Sequence, residues 1–425
     1  MSSALFTWIF LASLALNVGL KYWLAARQIH YVRRRADEVP AQFAGQVSLE
    51  AHRKAAGYTV AKQRLSMIET ACGATVLLLL TLCGGLQALC DLLRAPLGSG
   101  MPFQLGLAAS VVVVVSLVDL PIEWYRQFRV EQQFGFNRMT PALFLADTLK
   151  SVMLSVAIGL PLLALVLALM RFAGPYWWVY AWLAWCSFTL LLTVLFPIVI
   201  APLFNRFTPL ADSELLKRIQ ALLERAGFRA SGVYTMDGSR RSSHGNAYFT
   251  GLGAAKRIVF FDTLLQRLQP PEIEAVLAHE LGHFRLRHVR KRLLLGFAAS
   301  AALLVSLSWL MQRTWFYEGL GVEPSLLGRN DALALMLFFL VMPVFTFLFA
   351  PVSSLLSRRQ EFEADEFAAR HASPRALIDA LTKLYRDNAT TLTPDPIHST
   401  FYNSHPPAPI RIERLLKLRP PATAT

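Results

Sequence analysis

Residues 276–297 read VLAHELGHFRLRHVRKRLLLGF. Two histidines, His279 and His283, stand four positions apart, and Glu280 directly follows the first of them. Five Lys and Arg residues within RLRHVRKR then lead into an apolar stretch. The segment therefore joins a pattern typical of a metal site to the edge of an apolar run, and the rest of the sequence has to account for both.

The composition of the whole chain indicates a membrane protein. Of the 425 residues, 54% are hydrophobic and 16% are charged, and the mean hydropathy is +0.41. Soluble domains carry about a quarter charged residues, so the deficit of charge points to the bilayer. A net charge of +14 is also compatible with nucleic-acid binding. However, no zinc-knuckle, RNA-binding aromatic or helix-turn-helix pattern accompanies it, so we expect no nucleic-acid partner.

Seven apolar stretches approach or exceed the length of about 20 residues that crosses a bilayer. The first is expected to be an uncleaved span, since no basic residue precedes it and its apolar run outlasts that of a typical signal peptide. The third is expected to end at Pro121, after Asp119, and the fifth to be broken by Pro197 and Pro202. The stretches lie at roughly 4–25, 70–93, 102–121, 151–171, 177–203, 293–312 and 332–352.

The distribution of basic residues predicts the orientation of these spans. Seven spans place residues 26–69, 121–150, 204–292 and 353–425 on one side of the membrane. Residues 26–69 alone contain eight Lys and Arg, whereas the short loops of the other side and their edges contain four arginines. The positive-inside rule then places the first side in the cytoplasm, where basic residues can also contact anionic lipids. The Arg-rich composition suggests a bacterial inner membrane.

The predicted organisation has four parts. A membrane region with five helices, residues 1–203, precedes a polar segment, 204–292, which contains a helix at 213–227, short strand-like stretches and a helix from Pro270. Residues 293–352 form a transmembrane hairpin, and residues 353–425 form a C-terminal segment. Because the hairpin returns the chain to the same face, the two polar segments can meet in one site.

The spacing of the two histidines predicts a metal site on a helix. Four helical residues turn about 400°, so His279 and His283 project from one face and can hold one Zn²⁺ ion. Glu280 can reach a water molecule in that site without binding the metal, as in the HExxH motif of zinc peptidases. The alternative is that the two histidines share a helix by chance. A third ligand is therefore needed to distinguish a metal site from a chance pair.

The residues after the motif do not supply a third histidine at the spacing that metzincins use. Val289 occupies that position, and His288 falls one residue short. We therefore expect His288 to be a surface or interfacial residue.

A candidate third ligand follows the last span, in SRRQEFEADEFAARHA. Glu361 and Asp365 are four residues apart and share a helix face. Glu361 can complete a His₂Glu site, and Asp365 can accept the N–H of a ligand histidine and fix its tautomer. Glu363 lies about 200° round the helix from Glu361, so we expect it to point away, toward solvent or Arg359.

At this point the chain resembles the type I CAAX prenyl endopeptidases, a family of integral-membrane zinc peptidases. The resemblance covers nearly the whole chain, in seven ordered blocks: RRRADEVP, EAHRKAAGYTVAK, VEQQFGFNRMT, RSSHGNAYFTG with RIVFFDTLL, AHELGHFRLRH, SRRQEFEADEFA and NSHPPAPIRIERL. It implies a mainly α membrane protein whose seven helices surround a water-filled chamber. A zincin-like (gluzincin) protease domain with a small β element would close the cytoplasmic end.

The resemblance also implies roles for individual residues. The family pattern makes His279, His283 and Glu361 the zinc ligands and Glu280 the catalytic acid and base. The asparagine that matches Asn246 faces the substrate in this family, although a simple turn asparagine is the alternative from sequence.

Two residues of the C-terminal block gain roles in the same way. His405 matches a histidine that helps to stabilise the tetrahedral oxyanion. Arg411 matches a family arginine, for which we expect a structural role or one in support of the ligands.

The predicted function is a zinc endopeptidase with one Zn²⁺ per chain that hydrolyses membrane-associated or prenylated, CAAX-type polypeptides. One alternative is a bacterial protease for quality control of membrane proteins that does not act on CAAX substrates. Another is a non-catalytic zinc-binding transporter or receptor. An ion path would call for acidic residues inside the spans, and only Asp119 is a clear example.

Overall fold

The computed structural model describes residues 1–228, 230–250, 256–325 and 329–418. Within these ranges, seven helices are long and apolar enough to cross a membrane, as predicted. The N-terminal half contains α1 (Ser3–Arg34), α2 (Leu49–Leu80), α3 (Gly85–Leu97), α4 (Met101–Tyr125), α5 (Pro141–Phe172), α6 (Trp177–Leu195) and α7 (Ala201–Phe204). The spanning segments of this half are α1, α2, α4, α5 and α6.

The second predicted span is wrong in its position. The apolar run 70–93 is not one helix: α2 begins 21 residues before it and ends at Leu80. The chain then turns through Gly84, which has a φ of +78°, and α3 starts anew. The basic first half of α2 lies outside the predicted span because it is polar. It is helical because Ala55 and Tyr58 pack against Val130 and Phe136, outside the most apolar part of the helix.

The helix end predicted at Pro121 is wrong. Pro121 lies inside α4, which continues to Tyr125 and then into a π-helical segment, Arg126–Glu131. The interruption predicted in the fifth span is present: α6 ends at Leu195, and a π-helical segment, Phe196–Ile200, contains Pro197. A proline inside a membrane helix removes one backbone hydrogen bond but does not have to end the helix. The number of crossings is unchanged, and so is the expected side of each loop.

The polar segment folds as a small α/β unit, with elements where the sequence predicted them. Helix α8 (Ser213–Arg225) lies beside a four-stranded sheet of order β1-β2-β4-β3. The strands are β1 (Phe207–Pro209), β2 (Gly232–Met236), β3 (Ala247–Thr250) and β4 (Arg257–Phe261). Strands β2 and β4 are parallel, and β3 pairs with β4 antiparallel. Strand β3 therefore forms an edge of this sheet.

The remaining helices connect this unit to the membrane region. They are α9 (Asp262–Leu265), α10 (Pro270–Arg285), α11 (His288–Leu310), α12 (Thr314–Glu318), α13 (Asp331–Thr346), α14 (Ala350–His371), α15 (Pro374–Asp387), α16 (Pro396–Tyr402) and α17 (Ala408–Leu416). Helices α11 and α13 are the sixth and seventh spans, and α14 continues α13 after one 3₁₀ turn, Phe347–Phe349. The last membrane helix therefore extends directly into the polar domain.

One apolar core holds the polar domain together. It includes Ile219 from α8, Phe260 from β4, Leu277 from α10, Leu377 from α15 and Ile412 from α17, all at most 2% exposed. Burial of this kind stabilises by about 25 cal/mol for each Å² of apolar surface. Residues that precede the transmembrane hairpin in the sequence thus share one core with residues that follow it. This core fixes α10 against the helices after the last span.

Candidate active site

Helix α10 presents the two histidines from a well-defined start. Gln269 and Glu272 form a capping box, and Pro270 occupies the first turn, where its missing N–H costs nothing. Ile273, Leu277 and Leu281 recur at helical spacing and are at most 2% exposed. Since this stripe is packed into the core, the rotation of α10 is fixed, and with it the face from which the histidines project.

Gly282, inside the HExxH motif, allows α10 and α14 to approach closely. A Cβ at this position would lie 3.0 Å from the Cα of Ala364 and 3.2 Å from its carbonyl oxygen. These are backbone atoms, so they could yield only if a helix moved. The missing side chain therefore lets the helix of the histidines lie directly against the helix of Glu361.

The structure brings His279, His283 and Glu361 together. The two Nε2 atoms are 3.3 Å apart, and each lies 3.3–3.4 Å from an oxygen of Glu361. Ligands at about 2.0–2.1 Å from a tetrahedral Zn²⁺ ion are separated by about 3.3 Å. These three residues therefore fit a metal ion of that size and geometry.

The buried carboxylate of Glu361 suits a positively charged partner such as a metal ion. Its side chain is 2% exposed, and Oε2 has no hydrogen bond of good geometry to any described residue, although Nδ1 of His405 lies 2.7 Å away. The nearest guanidinium, from Arg292, is 3.9 Å from Oε1. A buried carboxylate requires a charged or metal partner, and the gap between Glu361 and the histidines is where one fits.

His279 is held by a buried ion pair. Its Nδ1 lies 2.9 Å from Oδ1 of Asp365. The carboxylate of Asp365 accepts two hydrogen bonds from Arg411, at 2.6 Å on Oδ1 and 2.9 Å on Oδ2. Burial by itself would lower the pKa of His279, but hydrogen bonds to Asp365 and Glu361 outweigh it and raise the pKa to about 9. Burial would also lower the pKa of Arg411, but the Asp365 carboxylate raises it further.

The expectation that His288 lies at the surface is wrong. Its side chain is 1% exposed, its Nδ1 lies 3.0 Å from Nδ1 of His283, and its Nε2 lies 2.9 Å from Oε2 of Glu363. Glu363 does point away from the metal-ligand group and pairs with Arg359 at 3.2 Å, but it also contacts His288. No local pattern indicates this contact, because it depends on a turn after α10.

The remaining predicted residues are more exposed than His279 and Glu361. Glu280 is half-buried and follows His279 on α10, and the side chain of His405 is 63% exposed with Nδ1 2.7 Å from Glu361. Asn246 is exposed at the start of the edge strand β3, and its Oδ1 accepts from the backbone N–H of Ala247 at 2.8 Å. Phe249 of the same strand packs against Phe284 of α10, with ring centroids 5.2 Å apart.

Sequence reasoning did not identify the side chains that hold the loop before β3. The ring of His244 stacks on Phe136 at 4.3 Å, and its two nitrogens face Glu131 at 3.5 Å and Asn388 at 3.3 Å. The backbone N–H of Gly245 also donates to Asn388 Oδ1. The contacts join three distant parts of the chain, so no local pattern could have revealed them.

The fold and this site together define an integral-membrane metallopeptidase, in which a HExxH helix faces a carboxylate on the extension of a membrane helix. Residues 28–206 match the family described as CAAX prenyl protease N-terminal, five membrane helices, and residues 209–419 match peptidase family M48. The chain belongs to peptidase family M48, among the CAAX prenyl protease 1 homologues.

Similar proteins cover most of the chain. The CAAX prenyl protease 1 homolog of Dictyostelium discoideum is 37% identical over 70% of this chain and 69% of its own length. CAAX prenyl protease 1 of Saccharomyces cerevisiae is 36% identical over 73% and 71%. The crystal structure of S. mikatae Ste24p superposes with a TM-score of 0.88 at 28% identity, covering 96% of this chain and 99% of that one. The predicted fold and the predicted family are thereby confirmed.

Proposed function

We propose that this metallopeptidase is a zinc endopeptidase in which one Zn²⁺ ion is bound by His279, His283 and Glu361. The observation that carries the proposal is the set of three ligand atoms, 3.3–3.4 Å apart, two of them on the helix that also carries Glu280. Two neutral imidazoles and one carboxylate are a common catalytic zinc set, with the fourth position left for substrate or water. When bound, zinc supplies a Lewis acid that polarises the scissile carbonyl and acidifies water.

The chain's own residues then move the protons. Glu280 projects from the same helix as both histidines but is not one of the three grouped ligands, so its carboxylate is available as a base. It accepts a proton from the attacking water and passes it to the leaving amine. His405, whose side chain is largely exposed, donates a hydrogen bond to the oxyanion of the tetrahedral intermediate.

The edge strand β3 provides a place for an extended substrate. One side of β3 pairs with β4, and the strand lies against α10 through Phe249 and Phe284. An extended peptide can add to such an edge through backbone hydrogen bonds, which select for an extended backbone rather than for a sequence. In this proposal Asn246, just before the strand, holds the substrate backbone.

We propose that the substrates are polypeptides at the membrane surface, including prenylated, CAAX-type ones. The relatives are named for this substrate class. Glu361 also lies on α14, which continues the last membrane helix, so the site is close to the membrane surface. In this proposal residues 1–203 and 293–352 form the membrane body, and 204–292 and 353–425 form the catalytic unit. The rival is a quality-control protease that ignores prenyl groups. Cleavage of one peptide with and without a farnesyl group separates the two, since equal rates favour the rival.

We further propose that the catalytic unit faces the cytoplasm, in a bacterial inner membrane. The basic residues that flank the spans support this orientation. In a background without the four native cysteines, Ser213→Cys should resist a membrane-impermeant thiol reagent in intact cells and react after lysis. Ser99→Cys, an exposed position on the opposite side, is the matched control and should react in intact cells. The reverse pattern would overturn the orientation.

The catalytic roles are tested by substitutions that separate chemistry from metal binding. Glu280→Gln should keep about one zinc per chain and lose peptidase activity, because it removes the base and leaves the ligands. Glu361→Gln should lose the zinc, since two histidines alone bind it poorly. Bound zinc is measured by atomic absorption on the purified proteins. Near wild-type cleavage by Glu280→Gln would reject the role of this residue.

A further inference from the structure

We propose that His288 and Glu363 position His283 for metal binding, through a chain of two hydrogen bonds that ends at the protein surface. The inference rests on the zinc site proposed above and assigns to His288 a role as a positioning residue. His288 is 1% exposed, so its ring nitrogens must find their partners inside the protein. Both do: Nδ1 lies 3.0 Å from His283 and Nε2 lies 2.9 Å from Glu363.

The valence of each nitrogen allows one arrangement of protons when a metal is bound. Nε2 of His283 faces His279 and Glu361 and must present its lone pair, so the proton of His283 is on Nδ1. That N–H donates to Nδ1 of His288, which therefore carries its own proton on Nε2. The Nε2–H group donates to Oε2 of Glu363. Every donor meets an acceptor, and the chain fixes both the tautomer and the ring orientation of His283.

The backbone adopts an unusual conformation at the point that brings His288 into place. In an uninterrupted helix, the fifth residue after His283 would lie about 140° away round the axis. Instead α10 ends at Arg285, and Arg287 adopts a left-handed conformation with φ 59° and ψ 31°. Residues other than glycine rarely adopt this conformation, and they keep it where surrounding contacts over-determine it. The turn restarts the helix at His288 and directs its ring back onto His283.

The first test measures zinc affinity on the full-length protein in detergent, by competition with a chelator. His288→Phe keeps a planar aromatic ring, slightly larger than imidazole, but removes the acceptor, and we expect zinc to bind about 10–100-fold more weakly. His288→Asn can accept the same hydrogen bond through Oδ1 and should recover part of that loss. Glu366→Gln, a surface position on α14 that pairs with Arg370, is the matched control and should bind zinc as the wild type does.

The visible spectrum of the cobalt-substituted protein provides a readout that does not depend on activity. If His288 orients a ligand, His288→Phe changes the cobalt absorption bands, and His288→Asn restores them in part. Unchanged affinity and spectrum in His288→Phe would overturn the proposal. Equal losses in both variants would also overturn it, because they would assign His288 to packing alone.

A second pair of variants leaves both side chains in place and changes only the turn. Arg287→Gly favours the left-handed conformation and should keep zinc affinity, whereas Arg287→Val disfavours it and should weaken affinity as His288→Phe does. This pair decides the matter if His288→Phe fails to fold: equal affinities of Arg287→Gly and Arg287→Val would reject the proposal. Failure of the wild type to bind zinc would instead reject the proposed function.

Discussion

The two histidines of the motif are supported by different surroundings. His279 contacts Asp365, whose partner is Arg411, and the side chains of these two residues are 3% and 7% exposed. His283 contacts His288, which leads to Glu363, whose side chain is 35% exposed. One histidine therefore has a charged partner deep in the protein, and the other is connected to the surface through a neutral ring.

This difference indicates two distinct uses of a ligand's second nitrogen. The ion pair of Asp365 and Arg411 beside His279 also joins α14 to α17, so it holds two helices together as well as contacting a candidate ligand. The chain of His283 lies within a few turns of α10, α11 and α14 and ends in a solvated carboxylate. A buried charge that loses its partner is costly, whereas a solvated one is not. We therefore expect damage on the two sides to differ in kind.

The largest effect on stability is expected on the His279 side. Arg411→Met would remove the guanidinium from the buried Asp365, which keeps its contact with His279. Breaking a buried ion pair costs about 3–5 kcal/mol, so we expect a loss toward the lower end of that range. The free energy of unfolding in detergent is measured by denaturant titration. Lys417→Met, an exposed position just after α17, is the control and should have little effect. A loss below about 1 kcal/mol for Arg411→Met would remove the basis of the comparison.

Zinc affinity should rank the two sides in the same order. Asp365→Asn replaces the charged acceptor of His279, and we expect zinc to bind about 10–100-fold more weakly. Glu363→Gln keeps an oxygen that accepts from His288, so we expect less than about a tenfold loss. Both values come from chelator competition on proteins of matched purity. A larger loss in Glu363→Gln than in Asp365→Asn would reverse the ranking.

Gly282→Ala tests what both sides share, because Gly282 lies between the two histidines and against Ala364. Overpacking costs about 1–3 kcal/mol, and the higher helix propensity of alanine returns about 1 kcal/mol. The expected net loss of stability is thus about 0–2 kcal/mol. Zinc affinity should also fall, since all three ligands depend on the distance between α10 and α14. Wild-type zinc affinity together with unchanged stability would show that the close approach is not required.

The smallest effect is expected at the outer end of the His283 chain. Arg359 is 82% exposed and pairs with Glu363 at 3.2 Å. Exposed pairs of this kind contribute about 0.3–0.5 kcal/mol on a helix, so Arg359→Ala should change stability by no more than that. Zinc affinity should stay within about twofold of wild type, because water can replace the guanidinium. A tenfold loss of affinity would extend the positioning chain to the surface arginine.

Several features of this protein could be read from local sequence. The HExxH spacing places His279 and His283 on one helix face, and the phase of QEFEADEF separates Glu361 from Glu363. Seven apolar runs predict seven crossings. The predicted strand-like stretches of the polar segment correspond to β2, β3 and β4, whereas β1 was not predicted. These features depend on periodicity over a few residues, which the chain carries in itself.

Other features could not be read in this way, and two of them misled the prediction. The run 70–93 is apolar throughout, yet a turn at Gly84 divides it, while the polar start of α2 is helical because it packs on other helices. His288 lies in a basic stretch of the sequence, among arginines, yet its side chain is buried. In both cases the partners that decide the outcome are far away in the chain or depend on one unusual backbone angle.

The sequence by itself determined which candidate metal-binding side chains the site offers, their spacing on each helix, and the membrane setting. Only the tertiary structure decided which side chains surround the two histidines. His279 contacts Asp365 and Arg411, and His283 contacts His288, which in turn contacts Glu363. The physical reason is that a metal site needs atoms placed within a few tenths of an ångström. Helical periodicity sets the direction of a side chain, but its distance from a partner on another helix depends on packing, here on the missing side chain of Gly282 and the turn at Arg287.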